Sequence, residues 1–127
     1  MICRMWHGIT LRSKADAYAS FLERHAIPDY RSVPGNRSVA VLRRDEGQLT
    51  HFLTVTHWES EASIRAFAGD DLLKAKYYPE DQAFLLAFEP QVQHFVVSAM
   101  DHAFRGAGPL GNRLSGRCRI DAVHCGA

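Results

Sequence analysis

Leu49–Trp58 alternates strictly, with Leu49, His51, Leu53, Val55 and His57 set against Thr50, Phe52, Thr54, Thr56 and Trp58. Directly after it, WESEASIRAFAGDDLLKAKY (Trp58–Tyr77) changes to a helical period. A chain that passes from a pleated segment straight into an amphipathic helix lays the helix's apolar side on the sheet it has just left. Ser60 suits the N-cap of that helix, Ile64, Phe67 and Ala68 supply its inward side, and Gly69 interrupts it. Asp70 and Asp71 open a further helical piece, with Lys74 four residues beyond Asp70.

The remaining elements follow the same logic. Ile2–Ile9 reads as a first strand, with Cys3, Met5, His7 and Ile9 on one face and Ile2, Arg4, Trp6 and Gly8 on the other. Ser13 suits the N-cap of a first helix whose buried stripe is Ala17, Tyr18, Phe21, Leu22 and His25, and which Pro28 stops. Pro34, Gly35 and Asn36 turn the chain into a second strand, Ser38–Arg44. A hairpin at Asp45, Glu46 and Gly47 joins it to the third, Gln48–His57. Pro79 starts a short helical turn before Phe84–Phe88, and Gln91–Val97 is the last strand.

The order β-α-β-β-α-β defines an α+β, ferredoxin-like sandwich with both helices on one side of the sheet. The other face carries enough apolar side chains to need a cover, and a second copy of the same sheet in a two-fold homodimer supplies one. Residues 1–98 form this domain. Residues 99–127, punctuated by glycines and arginines such as Arg105 and Arg113, read as a flexible tail or an arm lying on the partner.

Fifteen basic and fourteen acidic side chains give a formal charge of +1, without the concentrated basic surface that phosphate recognition needs, so nucleic acid is not an expected partner. No apolar run reaches membrane-spanning length, and no membrane partner is expected. Cys3, Cys118 and Cys125 are an odd count without metal-knuckle spacing. A cytoplasmic location is the default for such a chain.

Three histidines, His7, His57 and His94, sit on strands that neighbour one another in this fold. They read either as partly buried imidazoles satisfied by local hydrogen bonds or as imidazoles that converge on a pocket, with His57 and His94 in the substrate pocket and one of the three a base for a phenolic or enolic proton. No acidic side chain has ligand spacing beside them, so no metal is expected. His7, near the end of the first strand, is the candidate base, against the alternative of a polar strand terminus. Trp58, Phe67, Tyr77 and Tyr78 either line a flat apolar pocket for a small hydrophobic or aromatic ligand or serve as core. Phosphate-binding glycines and an exposed nucleophile elbow are absent.

MWHG near the start, VTHWESEASIRAFAGDDLLKAKYYPED and the final VQHFVV together resemble the antibiotic biosynthesis monooxygenase superfamily over Met1–Ser98. The resemblance implies a dimeric α+β barrel and, as the leading activity, cofactor-independent oxygenation of an aromatic or quinol-like substrate that passes an electron directly to dioxygen. His7 would then be the base, Tyr77 or Tyr78 would orient the substrate oxygen, and Trp58 would form a wall. Beside that activity stand two non-oxygenase alternatives, a small-molecule or haem-binding protein without turnover and a non-catalytic structural dimer, and a haem-degrading oxygenase. In the haem-degrading branch of the superfamily, Phe67 would stand where the family has a tryptophan, Tyr77 where it has the iron-binding histidine, and His7 near an asparagine. Haem would thus require a tyrosinate ligand.

Overall fold

The computed structural model describes residues 1–101. β1 (Ile2–Leu11), β2 (Asn36–Glu46) and β3 (Leu49–Trp58) are antiparallel, with β3 in the middle of the three. β3 pairs with β1 along its whole length, from Ile2 opposite Trp58 to Leu11 opposite Leu49. The hairpin to β2 closes through Gly47, whose positive φ of 61° suits glycine at a tight turn.

The far edge of β1 is shared by two short strands. β4 (Leu85–Phe88) lies beside Gly8–Thr10, and β5 (Gln93–Val96) lies beside Ile2–Met5. The expected fourth strand is therefore present as β5, and β4 is an addition in a segment where the sequence predicts none. LLAF is a short apolar run without alternation, so period alone does not mark it as pleated.

The α+β, ferredoxin-like arrangement is as expected, but the barrel is not: the sheet is open. Its order is β2-β3-β1-β4 with β5 beside β1, and the outer edge of β2 pairs with nothing among the described residues. Because β4 and β5 divide one edge, the sheet is only four strands wide. At a twist of about 20–25° per strand its ends remain far from meeting.

One face of the sheet carries the helical layer. A 3-10 turn (Arg12–Lys14) leads into α1 (Ala15–Phe21), a π-helical segment (Leu22–Ala26) and α2 (Ile27–Arg31). Ser13 lies inside that first turn and makes no cap, contrary to expectation. Nor does Pro28 stop the helix. Its missing N–H and its ring are incompatible with an ordinary bond to the Arg24 carbonyl, and the wider π segment just before it removes the conflict.

α3 (Glu61–Ala68) starts where the sequence places it, with the Ser60 hydroxyl accepting the Ser63 N–H at 3.3 Å. It ends at Gly69, whose φ is 92°. The helical piece expected at Asp70–Lys74 is absent. That segment pairs instead with the chain before β5: Ala75 N–H donates to the Pro90 carbonyl and Val92 N–H to the Leu73 carbonyl. Pro79–Ala83 is a short 3-10 turn, as expected.

Between sheet and helices the core has two parts. Ala15, Tyr18, Phe21, Leu22, Ala26 and Phe52 form the first. Trp58, Ile64 and Phe67 form the second, with Tyr30 packed on both. On the opposite face, β1 presents Cys3, Met5, His7 and Ile9 while β3 presents His51, Leu53, Val55 and His57. Among the described residues no helix covers this face, and Leu42 and Phe95 beside it are about half exposed, at 49% and 50%. None of the described helices is long and apolar enough to cross a membrane. Cys118, Cys125 and the arginines expected to form a tail lie outside the described residues.

Candidate functional site

Two adjoining cavities open on the helical side. The inner one, ≈ 20 Å³, is lined by Arg4, Trp6, Tyr30, Thr54 and Thr56 among others, and is about large enough for a water-sized guest. The outer one, ≈ 520 Å³, is walled by Tyr77, Pro79, Gln82, Leu85 and Phe88 and has the size of a small-molecule site. Tyr78 and Asp81 line both.

Asp81 is placed by the short turn that begins at Pro79. Its Oδ2 accepts the Tyr78 N–H at 2.9 Å and its Oδ1 accepts the Tyr18 hydroxyl at 3.1 Å. Burial pushes its carboxyl above the usual range, outweighing those two bonds, so the carboxylate is a stronger base than a solvated aspartate. The Tyr78 hydroxyl donates to Asp29 Oδ2 at 2.7 Å, and Lys76 Nζ reaches the same oxygen at 3.1 Å. Burial opposes ionisation of Asp29, yet the two donors together hold its carboxyl below the ordinary value. Burial, with the Asp29 hydrogen bond next, pushes the Tyr78 phenol up. Burial also raises Tyr77 and, with Arg4 opposing, takes Tyr30 to about 12.

The inner cavity has two conspicuous polar walls. Trp6 lies across Gly8, so close that a β-carbon at residue 8 would strike the indole, and its buried Nε1–H has no acceptor among the described residues. Arg4, only 3% exposed, sends Nη1 to the Leu72 carbonyl at 2.7 Å and Nη2 to the Lys74 carbonyl at 3.1 Å. Nη1 also meets His94 Nε2 at 3.0 Å. A guanidinium only donates, so His94 accepts there and carries its proton on Nδ1. Burial, then the Arg4 charge, keeps His94 below its ordinary value.

His7, His51 and His57 lie across the sheet. His7 Nδ1 donates to Glu89 Oε2 at 2.8 Å, His7 Nε2 and His51 Nδ1 are 2.9 Å apart, and His51 Nε2 donates to Glu46 Oε1 at 2.9 Å. The two rings are within 3° of coplanar orientation. They border a cavity of ≈ 260 Å³ with Leu42, Arg43, Arg44 and Leu53. His57, also on this face, pairs its Nδ1 with Ser38 Oγ at 2.8 Å.

The residues singled out from sequence thus fall into three places. Tyr77 and Tyr78 share the outer cavity, and His94 backs the inner one through Arg4. His7 and His57 occupy the uncovered face, so no described cavity is lined by both His7 and Tyr77. Trp58 and Phe67 are core: Trp58 is fully buried with Nε1 on Thr56 Oγ1 at 2.8 Å, and Phe67 stacks on Tyr30 at 4.4 Å. Arg4, Trp6, Tyr18, Tyr30 and Asp81 were not among the candidates. The parity of β1, which puts Arg4 with Trp6 and Gly8, was the available signal for the first two. Among the described residues no group of three His, Cys, Asp or Glu side chains is arranged to hold a metal.

An antiparallel sheet backed on one face by helices, with a cavity between the layers, defines a ferredoxin-like α+β fold. The profile of the antibiotic biosynthesis monooxygenase family matches residues 9–75, more than half of the chain, and the protein belongs to that family. Similar solved structures include the haem-degrader MhuD from Mycobacterium tuberculosis with two haems bound in its active site. It is 19% identical, with a TM-score of 0.52, over 80% of this chain and 99% of that one. PA3566 from Pseudomonas aeruginosa is 14% identical with a TM-score of 0.56, over 77% and 94% of the two chains. SO0527 from Shewanella oneidensis is 19% identical with a TM-score of 0.56, over 76% and 92%. At these identities the likeness concerns the fold alone. No curated protein matches the sequence.

Proposed function

We propose that the chain is a cofactor-independent monooxygenase for a small aromatic or quinol-like substrate, working in residues 1–98, with 99–127 an appended segment. The observation that carries this reading is the pair of adjoining cavities: one of aromatic-ligand size with largely apolar walls, one of the size of a small gas or water, and a buried carboxylate lining both.

A substrate ring lies against Leu85, Phe88 and Tyr77, where Tyr77 and Phe88 already meet edge to face at 4.6 Å. Asp81 takes the acidic proton. The resulting carbanion or enolate gives an electron to dioxygen, the two radicals join as a hydroperoxide, and loss of water leaves a carbonyl. A methylene plus dioxygen becomes a carbonyl plus water, so no external reductant is consumed. The protein's part is to exclude water and hold the anion. His7, on the other face, is the alternative base for a ligand seated in the cavity beside His51.

Oxygen uptake with an anthrone, in the presence of chelator, tests both assignments. Asp81→Asn is expected to lower kcat by about 10²-fold or more, and His7→Ala to leave it within about twofold of wild type. The reverse pattern would move the reaction to the uncovered face, and no uptake by wild type would remove the oxygenase reading.

Haem does not fit the residues present. The inner space between sheet and helices is filled by Trp6, Tyr18, Phe21 and Tyr30, leaving ≈ 20 Å³, so a haem would be confined to the outer cavity beside Tyr77. Tyr77, the ligand the resemblance implies, has its ionisation opposed by burial and by Asp81. A homodimer through the uncovered sheet face, each copy covering Met5, Leu42, Leu53, Val55 and Phe95 of the other, is part of the same proposal. The cytoplasm remains its proposed location.

A further inference from the structure

A phenol of ordinary acidity, about 10, does not give up its proton to a carboxylate, even one raised by burial, unless the anion is stabilised where it forms. The helical side holds one strong candidate for that task. Arg4 is a buried cation with no carboxylate partner among the described residues: its acceptors are two backbone carbonyls and a neutral imidazole. Those acceptors use both hydrogens of Nη1 and one of Nη2. The other Nη2 hydrogen and the Nε–H find no acceptor among the described residues. Arg4 Nε is not sealed from solvent as Trp6 Nε1 is, so its N–H is open to an incoming acceptor, and a negative ligand oxygen there would complete the shell of a largely buried charge.

We infer that Arg4, in the wall of the inner cavity, is an anion-receiving group that binds the ionised oxygen of a phenolic ligand whose ring occupies the outer cavity. This rests on the reading of the two cavities as one ligand site. His94 and the carbonyls of Leu72 and Lys74 fix the guanidinium by three bonds, so it is oriented before a ligand arrives. The unpartnered Trp6 Nε1–H is a second donor in the same wall and acts on the same oxygen. His94 is neutral, as its accepting bond to Arg4 requires, and Lys76, the other cation lining this cavity, is engaged by Asp29 at 3.1 Å, which leaves Arg4 as the cation free to receive the ligand.

4-Nitrophenol serves as probe because its phenolate absorbs in the visible and its neutral form does not; nitrobenzene is the uncharged control. Bound to wild type, nitrophenol is expected to stay ionised at a pH at least one unit below that at which the free compound protonates. Arg4→Met is expected to weaken phenolate binding by about tenfold or more while leaving nitrobenzene affinity unchanged, and Arg4→Lys to keep most of the phenolate preference. Because Arg4 also ties residues 72–74 to β1, melting curves accompany both variants, and the wild-type titration decides alone if either fails to fold. Wild type binding nitrophenol in its neutral form, or folded Arg4→Met binding phenolate as tightly as wild type, would overturn the assignment while leaving the cavity reading intact. Failure of both nitrobenzene and nitrophenol to bind would remove the cavity reading and the assignment together.

Discussion

Asp29 and Asp81 sit one residue apart in the hydrogen-bond chain through Tyr78, yet their carboxyls shift in opposite directions. For Asp29 the folded value lies below the unfolded one. Its contribution is therefore fully present above the ordinary carboxylate range and is lost as pH falls through the depressed value. For Asp81 the folded value lies above, so the fold is favoured at low pH and loses this contribution as pH rises through the ordinary range to the raised value. Denaturant titrations across the acid range should show both: Asp29→Asn flattens the steep loss at the acid end, and Asp81→Asn removes a gentler decline above it. An unchanged acid limb in Asp29→Asn would mean that the Tyr78 and Lys76 bonds do not hold this carboxylate in solution. Neither acid was legible as a site residue. Asp81 follows Pro79 and Glu80 in what reads as an ordinary helix start, and only the burial of the turn under Tyr18 changes its chemistry.

The elements themselves were largely legible where one period ran long enough. β3 alternates over its full length, and the burial of Thr50, Phe52, Thr54, Thr56 and Trp58 against the half-buried residues between them reproduces that parity. Ser60 and Gly69 bounded α3 by cap chemistry that acts locally. Pro28 misled because a π segment, set by packing of Leu22 and Ala26 on the core, relieves a conflict that local rules treat as terminal. Asp70–Lys74 misled because two of its carbonyls serve Arg4, a partner nearly seventy positions away. The role of Phe67, left open between pocket and core, has a direct test. As a core residue stacked on Tyr30 and beneath Lys76 it should cost about 3–5 kcal/mol when replaced by Ala. A loss in denaturant unfolding well under that, with weakened ligand binding, would return it to the pocket.

For the whole molecule, the sheet face that no described helix covers is where the proposed homodimer is tested. Apolar side chains from β1, β2, β3 and β5 lie together there, and their burial against a second copy is the proposal's main stabilising term. Leu53→Glu puts a charge at the centre of that face, so sedimentation at micromolar concentration should change from dimer to monomer with the fold retained. A wild type that sediments as a monomer would defeat the dimer without touching the cavities on the other side. Openness of the sheet was not legible because strand count and strand width differ: five strands were needed to see that two of them share one edge.

The row Glu89–His7–His51–Glu46 bears on whatever covers that face. Its three links each require a hydrogen, whereas two neutral imidazoles bring only two. The His7–His51 contact therefore lacks a hydrogen when both rings are neutral, and the carboxylates at the two ends carry the charge of the row, with Arg44 3.9 Å from Glu46. A surface that covers this face must leave Glu89, at the end without a cation, its path to solvent or bring a donor to it.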